Sequence, residues 1–157
     1  MTEVDVGLVS DTHGLLRPEV IPALEGCELI LHAGDVGGPE ILEALGRVAP
    51  VRAVRGNTDR GAFGAGLPVT EMVRIGDHNL HMIHILEELD VDPAAAGVSA
   101  VVYGHTHRPL VEERAGILFV NPGSCGPRRF DLPVTVARMR VSSGGLQVRV
   151  IPLLEGG

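Results

Sequence analysis

The sequence predicts an α/β fold with many strands, in two sheets packed face to face with helices outside. Two observations carry that expectation. The first third alternates short apolar runs with helix-spaced ones, a βαβαβ pattern that implies parallel strands joined by right-handed crossovers. The remainder changes to strand pairs separated by short turns rich in Gly, Asp and Ser.

The elements follow in order. Val4–Val9 is a short apolar run suited to a buried strand. Pro18 opens a helix with Val20, Ile21 and Leu24 on its apolar side, and Gly26 ends it. Leu29–Leu31 is the second strand. Pro39 opens a second helix, with Ile41, Leu42, Leu45 and Val48 at helical spacing. Val51–Val54 is the third strand. Val69–Ile75 and Leu80–Ile85 flank Gly76-Asp77-His78-Asn79 as a hairpin. Residues 86–97 hold a short helix, and Val98–Tyr103 is another buried strand. Leu110–Glu113 pairs with Ile117–Val120 across Ala115-Gly116, and Val134–Val141 with Leu146–Ile151 across residues 142–145.

The 157 residues suit a single domain over 1–157. A chain of that size buries roughly 70% of its unfolded surface, and 45% hydrophobic residues supply the core. Thirteen arginines, no lysine and 20 acidic residues leave a net charge of −7. That balance argues against long nucleic acid or an anionic membrane as partner, since both demand basic patches. A phosphate-bearing substrate would need positive charge from elsewhere, and a bound metal is one source. No apolar run approaches the ~20 residues of a membrane span, and the first five residues carry no basic targeting region. Cys27 and Cys125 form no C-x-x-C pair and read as small buried residues. Free thiols fit a cytoplasmic protein.

The chemistry sits after the strands. Asp11-Thr12-His13-Gly14 follows the first strand, Gly34-Asp35 the second and Gly56-Asn57-Thr58-Asp59 the third. His84 follows the hairpin strand, and Gly104-His105-Thr106-His107 follows Val98–Tyr103. Ligands of parallel sheets bind beyond the carboxyl ends of the strands. Asp11, His13, Asp35, Asn57, His84, His105 and His107 therefore converge on one rim, and each is an O or N donor suited to a divalent metal. Taken singly, most have blander readings: Asp11 as a helix cap, Asn57 as a turn residue, His84 as a core histidine. Five successive strand ends carrying such donors favour the metal. Seven donors exceed one tetrahedral site and suit two ions sharing a carboxylate. His32, His78 and His81 read as structural; His81 lies three residues from His84 and points to the opposite face of a strand.

These motifs, with Asn121-Pro122-Gly123-Ser124, resemble the calcineurin-like metallophosphoesterases, and most closely their small bacterial and archaeal phosphodiesterase branch. The resemblance implies a four-layer αββα sandwich of two mixed sheets flanked by helices. It implies that Asp11, His13 and His107 hold one divalent ion, that Asn57, His84 and His105 hold another, and that Asp35 bridges them. Manganese is the foremost ion, with iron, zinc, cobalt or nickel also suited. Metal-bound hydroxide would attack phosphorus in a small, nucleotide-like or cyclic nucleotide diester, with Asp35, Asn57, Asp59 and His84 as the catalytic set and Asp59 orienting a ligand or water. Thr58, Arg108, Ser124 and Arg128 are candidate substrate contacts. Thr58 stands where many relatives carry a leaving-group histidine, and Ile85 where glycine is usual. The span from His84 to Gly104 is short for the branch, which implies a trimmed helix or lid. The retromer's phosphoesterase-like subunit resembles the same fold, so the alternative function is a catalytically weak scaffold for protein–protein interaction. Relatives often form homo-oligomers.

Overall fold

The computed structural model describes residues 3–154, so the expected span of 1–157 runs past it at both ends. Strand β1 (Val4–Val9) turns Val6 and Leu8 to one side and Val9 to the other. Helices α1 (Val20–Ala23) and α2 (Pro39–Gly46) connect it to β2 (Leu29–His32) and β3 (Val51–Ala53), and β1, β2 and β3 pair in parallel. A further helix, α3 (Gly61–Ala65), precedes β4 (Thr70–Ile75) and β5 (His78–Ile83). The chain continues through a 3-10 turn (Leu86–Glu88), β6 (Ala100–Val102), β7 (Leu110–Arg114), β8 (Ile117–Asn121), β9 (Val134–Ser142) and β10 (Gly145–Leu154).

One sheet has the order β10-β9-β1-β2-β3 and the other β4-β5-β6-β8-β7. Both are mixed: β5, β6 and β8 run parallel, while the hairpins β4–β5, β7–β8 and β9–β10 are antiparallel. The inward faces meet in one core that includes Val6, Leu8, Leu31, Leu80, Met82, Val102 and Met139. Each fully buried aliphatic side chain there stabilises the fold by about 1.5–3 kcal/mol relative to exposure. The outer face of the first sheet packs Val9 and Ile30 against Val20, Leu24, Ile41 and Leu45 of α1 and α2. The outer face of the second sheet is covered by Leu86 and Leu89 over Ile83, Val101, Tyr103 and Phe119.

Several boundaries differ from expectation. Helix α1 is one turn, starting two residues after Pro18. Residues 86–97 form the 3-10 turn and a hydrogen-bonded turn over 93–97 in place of the expected helix, so the layer over the second sheet is thin. Helix α3 is unexpected because its sequence, Gly-Ala-Phe-Gly-Ala, carries two glycines of low helix propensity; Phe63 packs on the helical layer and Arg55 Nε donates to Gly64 O at 2.7 Å. The first hairpin turn is the two residues Gly76-Asp77, so His78 begins β5 instead of sitting in the turn. There its Nδ1 and Nε2 reach Ser99 Oγ and Ser142 O. Cys27 and Cys125 are free and buried.

Candidate metal centre

The parallel strands deliver their following loops to one rim. His81 packs in β5 on the side opposite Leu80 and Met82, and His84 emerges just past the strand. His84 is buried: its Nδ1–H donates to Ala33 O at 2.8 Å, which leaves Nε2 directed at Asp35 Oδ2, 3.1 Å away, and Asp11 Oδ1, 3.8 Å away. In the neutral ring, a nitrogen tied to a carbonyl leaves the other as a lone pair, the arrangement usual for metal-ligating histidine.

Asp11 is fully buried. Its Oδ2 accepts from Ser10 Oγ at 2.7 Å and from the His105 N–H at 3.2 Å. Its Oδ1 has no hydrogen-bond partner and lies 3.3 Å from His107 Nε2 and 3.6 Å from His13 Nε2. The Nε2 atoms of His13 and His107 face each other at 3.3 Å. Burial opposes ionisation of Asp11, but His107, His13, the positive charge at His84 and the Ser10 hydroxyl hold its carboxyl far below the usual range. Burial likewise opposes ionisation of Asp35; the contact with His84 and the Thr58 N–H at 2.9 Å outweigh it and bring its pKa to about 2. Asp11 raises the pKa of His13 despite burial, and Asp35 and Asp11 raise that of His84.

Two donor triads result: Asp11, His13 and His107, and Asp35, His84 and His105. Ligand atoms about 2.0–2.2 Å from one ion lie about 3–3.5 Å from each other, which matches the spacing of the orphaned Asp11 Oδ1, His84 Nε2 and their neighbours. The residues present therefore fit divalent metal. Asn57 Oδ1 meets His105 Nδ1 at 3.1 Å, which brings it to the second triad. All seven expected donors thus come together.

The backbone is strained to do this. Asp11, His13, Asp35, His105 and His107 all have φ between 47° and 74°, in the left-handed region. Among the other described non-glycine residues only Ala115, in a hairpin turn, and Phe130 share it. Such conformations cost of order 1–3 kcal/mol each and persist where surrounding contacts over-determine them. Glycines make room: a Cβ on Gly56 would overlap Asp35, and one on Gly104 would overlap Ser10 Oγ.

Other expected residues fall differently. Asp59 accepts from the N–H groups of Val36, Gly37 and Gly56, at 3.2, 3.1 and 2.9 Å. It clamps the Asp35 loop to the Asn57 loop through backbone N–H groups, which fits the orienting role expected of it. Ser124 is buried and its Oγ donates to Asp11 O at 3.0 Å, which ties the loop after β8 to the end of β1. Thr58, Arg108 and Arg128 are exposed. Arg55 turns away to Gly64 O and Leu67 O.

His32 has a role its sequence position did not reveal. It is fully buried; its Nε2 meets Thr12 Oγ1 at 2.9 Å and its Nδ1 accepts from the Gly34 N–H at 3.1 Å. Thr12 Oγ1 in turn donates to Val36 O at 2.6 Å. One neutral imidazole thereby joins the loops carrying Asp11, His13 and Asp35. Asn121 does the same for the 104–107 loop, its Nδ2 donating to Gly104 O and Thr106 Oγ1.

Comparison with known proteins agrees with this architecture. Residues 4–144 match the calcineurin-like phosphoesterase superfamily domain. The chain is 35% identical over 147 residues to a probable metallophosphoesterase of Methanothermobacter thermautotrophicus, covering 85% of each. It is 34% identical over 139 residues to the phosphodiesterase YfcE of Escherichia coli, covering 73% of this chain and 76% of YfcE. It is also similar in fold to vacuolar protein sorting 29 of Cryptosporidium parvum, with a TM-score of 0.77 at 22% identity over 96% of this chain and 98% of that one. The chain belongs to the calcineurin-like phosphoesterase superfamily, whose members depend on divalent metal.

Proposed function

We propose that this protein is a metal-dependent phosphoric diester hydrolase acting on small phosphoesters, nucleotide-like or cyclic nucleotide diesters among them, in the cytoplasm. The observation that carries the reading is the meeting of two donor triads around the unpartnered Asp11 Oδ1 and around Asp35 Oδ2, which faces His84 Nε2. Asp11, His13 and His107 would hold one ion and Asn57, His84 and His105 a second, with Asp35 shared; manganese, iron, zinc, cobalt and nickel all suit mixed N/O donors. Bound divalent ions supply Lewis acidity toward phosphoryl oxygens and acidify coordinated water.

The chain's own groups prepare that site. Ser10 and the His105 N–H occupy Asp11 Oδ2 and so fix where Oδ1 points. Ala33 O fixes the ring of His84. Thr58 N–H occupies Asp35 Oδ1 and leaves Oδ2 toward His84. The exposed Thr58 hydroxyl can donate a hydrogen bond to an ester oxygen, and Arg108 supplies positive charge on the same loop as His105 and His107.

The scaffold reading draws on likeness of fold to vacuolar protein sorting 29 and on Thr58 and Ile85, which would suit a loss of activity. A complete donor set, five members of it in strained backbone, favours the hydrolase. The test is metal analysis of chelator-stripped protein reloaded with each of the five ions, followed by hydrolysis of a panel of phosphodiesters. Two ions per chain and diester turnover are expected. Protein that takes up no ion and turns over no diester is the outcome against it.

A further inference from the structure

A recess of about 170 Å³ opens beside the second donor group, and two of its lining residues, Asn57 and His84, belong to that group. Asn57 Oδ1 meets His105 Nδ1 at 3.1 Å, and the rings of His84 and His105 stand edge to face with centroids 5.4 Å apart. Backbone hydrogen bonds build the remaining walls. The β4–β5 register pairs Thr70 with Ile83, which brings Val69, one residue earlier, to the side of His84. The Arg55 N–H donates to Pro68 O at 2.7 Å and ties that approach to the loop carrying Asn57. The Glu88 N–H donates to Ile85 O at 3.0 Å and closes the turn on the far side.

Away from the donors the walls are aliphatic, formed by Val69, Ile83 and Ile85. Arg55 also lines the recess, but its Nε and Nη2 donate to Gly64 O and Leu67 O. Glu88 is exposed at the edge, where its charge opposes an anionic occupant. An apolar cavity of about 150 Å³ holds a benzene molecule. The recess therefore matches one phenyl ring or a branched alkyl group of similar size, and a nucleoside, which adds a sugar to its base, exceeds it.

We infer that this recess receives one uncharged hydrocarbon substituent of a phosphodiester, an aryl ring or a branched alkyl group, while the phosphoryl group lies toward Asn57 and His84. This rests on the hydrolase reading and adds a substrate class to it. Val69, Ile83 and Ile85 then set specificity through the apolar area they cover, and the donor residues hold the anion common to every diester.

Dimethyl phosphate and diphenyl phosphate test the inference, because they share one anion and each carries two identical substituents. Their inhibition constants against hydrolysis of bis(4-nitrophenyl) phosphate by manganese-loaded protein give the preference for phenyl over methyl. Wild-type protein is expected to prefer diphenyl phosphate by about 10-fold or more, the scale set by removing one ring's apolar area from water. Val69→Ser and Ile85→Thr each put a hydroxyl into an apolar wall and should lower that preference about 3–10-fold. Val69 is 51% exposed, so its substitution leaves the core intact and the test stands even where Ile85→Thr loses stability. Val111→Ser, at a 41% exposed valine on β7 outside the recess, is the control and should keep the wild-type preference. Equal inhibition of wild type by the two diesters, a Val69→Ser preference matching wild type, or an equal drop in Val111→Ser overturns the proposal while the hydrolase reading stands. Wild-type protein that hydrolyses no diester overturns both.

Discussion

His84 Nε2 sits 3.1 Å from Asp35 Oδ2 and 3.8 Å from Asp11 Oδ1, so one imidazole nitrogen looks into the gap between the two buried carboxylates. Asp35 Oδ2 also lies 3.6 Å from His13 Nε2, within reach of both triads, and we propose that it is the carboxylate they share. Asp35→Asn keeps the shape of the side chain and removes the negative charge between the ions. It is expected to lower both metal content and diester turnover by more than the 10–100-fold typical of an outer-shell change, and by more than any single histidine substitution. Near-native metal content measured on the purified variant would remove the shared-carboxylate assignment.

Gly56→Ala tests the same carboxylate from the other side. The added methyl would overlap Asp35 Oδ1 and the Asp35 backbone nitrogen. Overpacking of that kind costs about 1–3 kcal/mol. The expected result is a lower denaturation midpoint together with weakened metal binding, read by chemical denaturation and by calorimetric titration. A variant matching wild type in both measurements would mean that the Asp35 loop moves freely.

His32 makes stability depend on pH. Burial lowers its pKa from 6.5 to about 4. Between those values the unfolded chain binds the proton and the folded protein does not. The contribution is therefore complete above pH 6.5 and is lost as pH falls toward 4, by roughly 3 kcal/mol in all. In chelated protein, His32→Asn should flatten this part of the stability–pH curve relative to wild type, although it lowers stability at pH 7.5 by removing the contact to Thr12. Denaturant titrations at pH 7.5, 6 and 5 give the comparison, and parallel curves for the two proteins would contradict it.

Thr58 cannot protonate a leaving group near neutral pH, because its hydroxyl is too weak an acid, whereas a histidine with pKa about 6.5 can. General acid catalysis typically contributes about 10²–10⁴-fold. Wild-type kcat/KM is therefore expected to fall steeply as leaving-group pKa rises. Thr58→His should flatten that dependence, helping poor leaving groups most. Equal slopes for the two proteins would return Thr58 to a turn residue whose N–H serves Asp35.

Ile85 lines a recess of about 170 Å³ with Asn57, Val69, Ile83, His84 and Glu88. Its side chain lines this recess beside His84 and Asn57 of the second donor group. Ile85→Gly is expected to raise kcat/KM for bulky diesters about 2–10-fold, the range one or two apolar groups command in a pocket, and to tighten binding of the second ion. The backbone cost is up to about 1 kcal/mol. Identical metal isotherms and rates would show that Ile85 is ordinary packing.

The donor set was legible because its signals are local. Each of Asp11, His13, Asp35, Asn57, His84, His105 and His107 stands within a few residues of an apolar run, and parallel strands send such positions to one rim. Period-2 spacing also separated His81 from His84 without coordinates. Three-dimensional contact decided the rest. Nothing in the order of residues marks five donors for left-handed backbone, since non-glycine φ > 0 is disfavoured locally and is held here by neighbours distant in sequence. Asp59 and Ser124 look like chemistry in a sequence, yet their polar atoms are bonded to the backbone of other loops. His32 looks structural and proves to join two of the donor loops. Helix α3 forms against its propensity because Phe63 finds the helical layer and Arg55 finds Gly64 O. The sequence by itself determined which residues offer metal-donor atoms; tertiary packing decided which way those of Asp35, His84 and Asp11 point, because their directions are set by hydrogen bonds spanning 23, 51 and 94 residues.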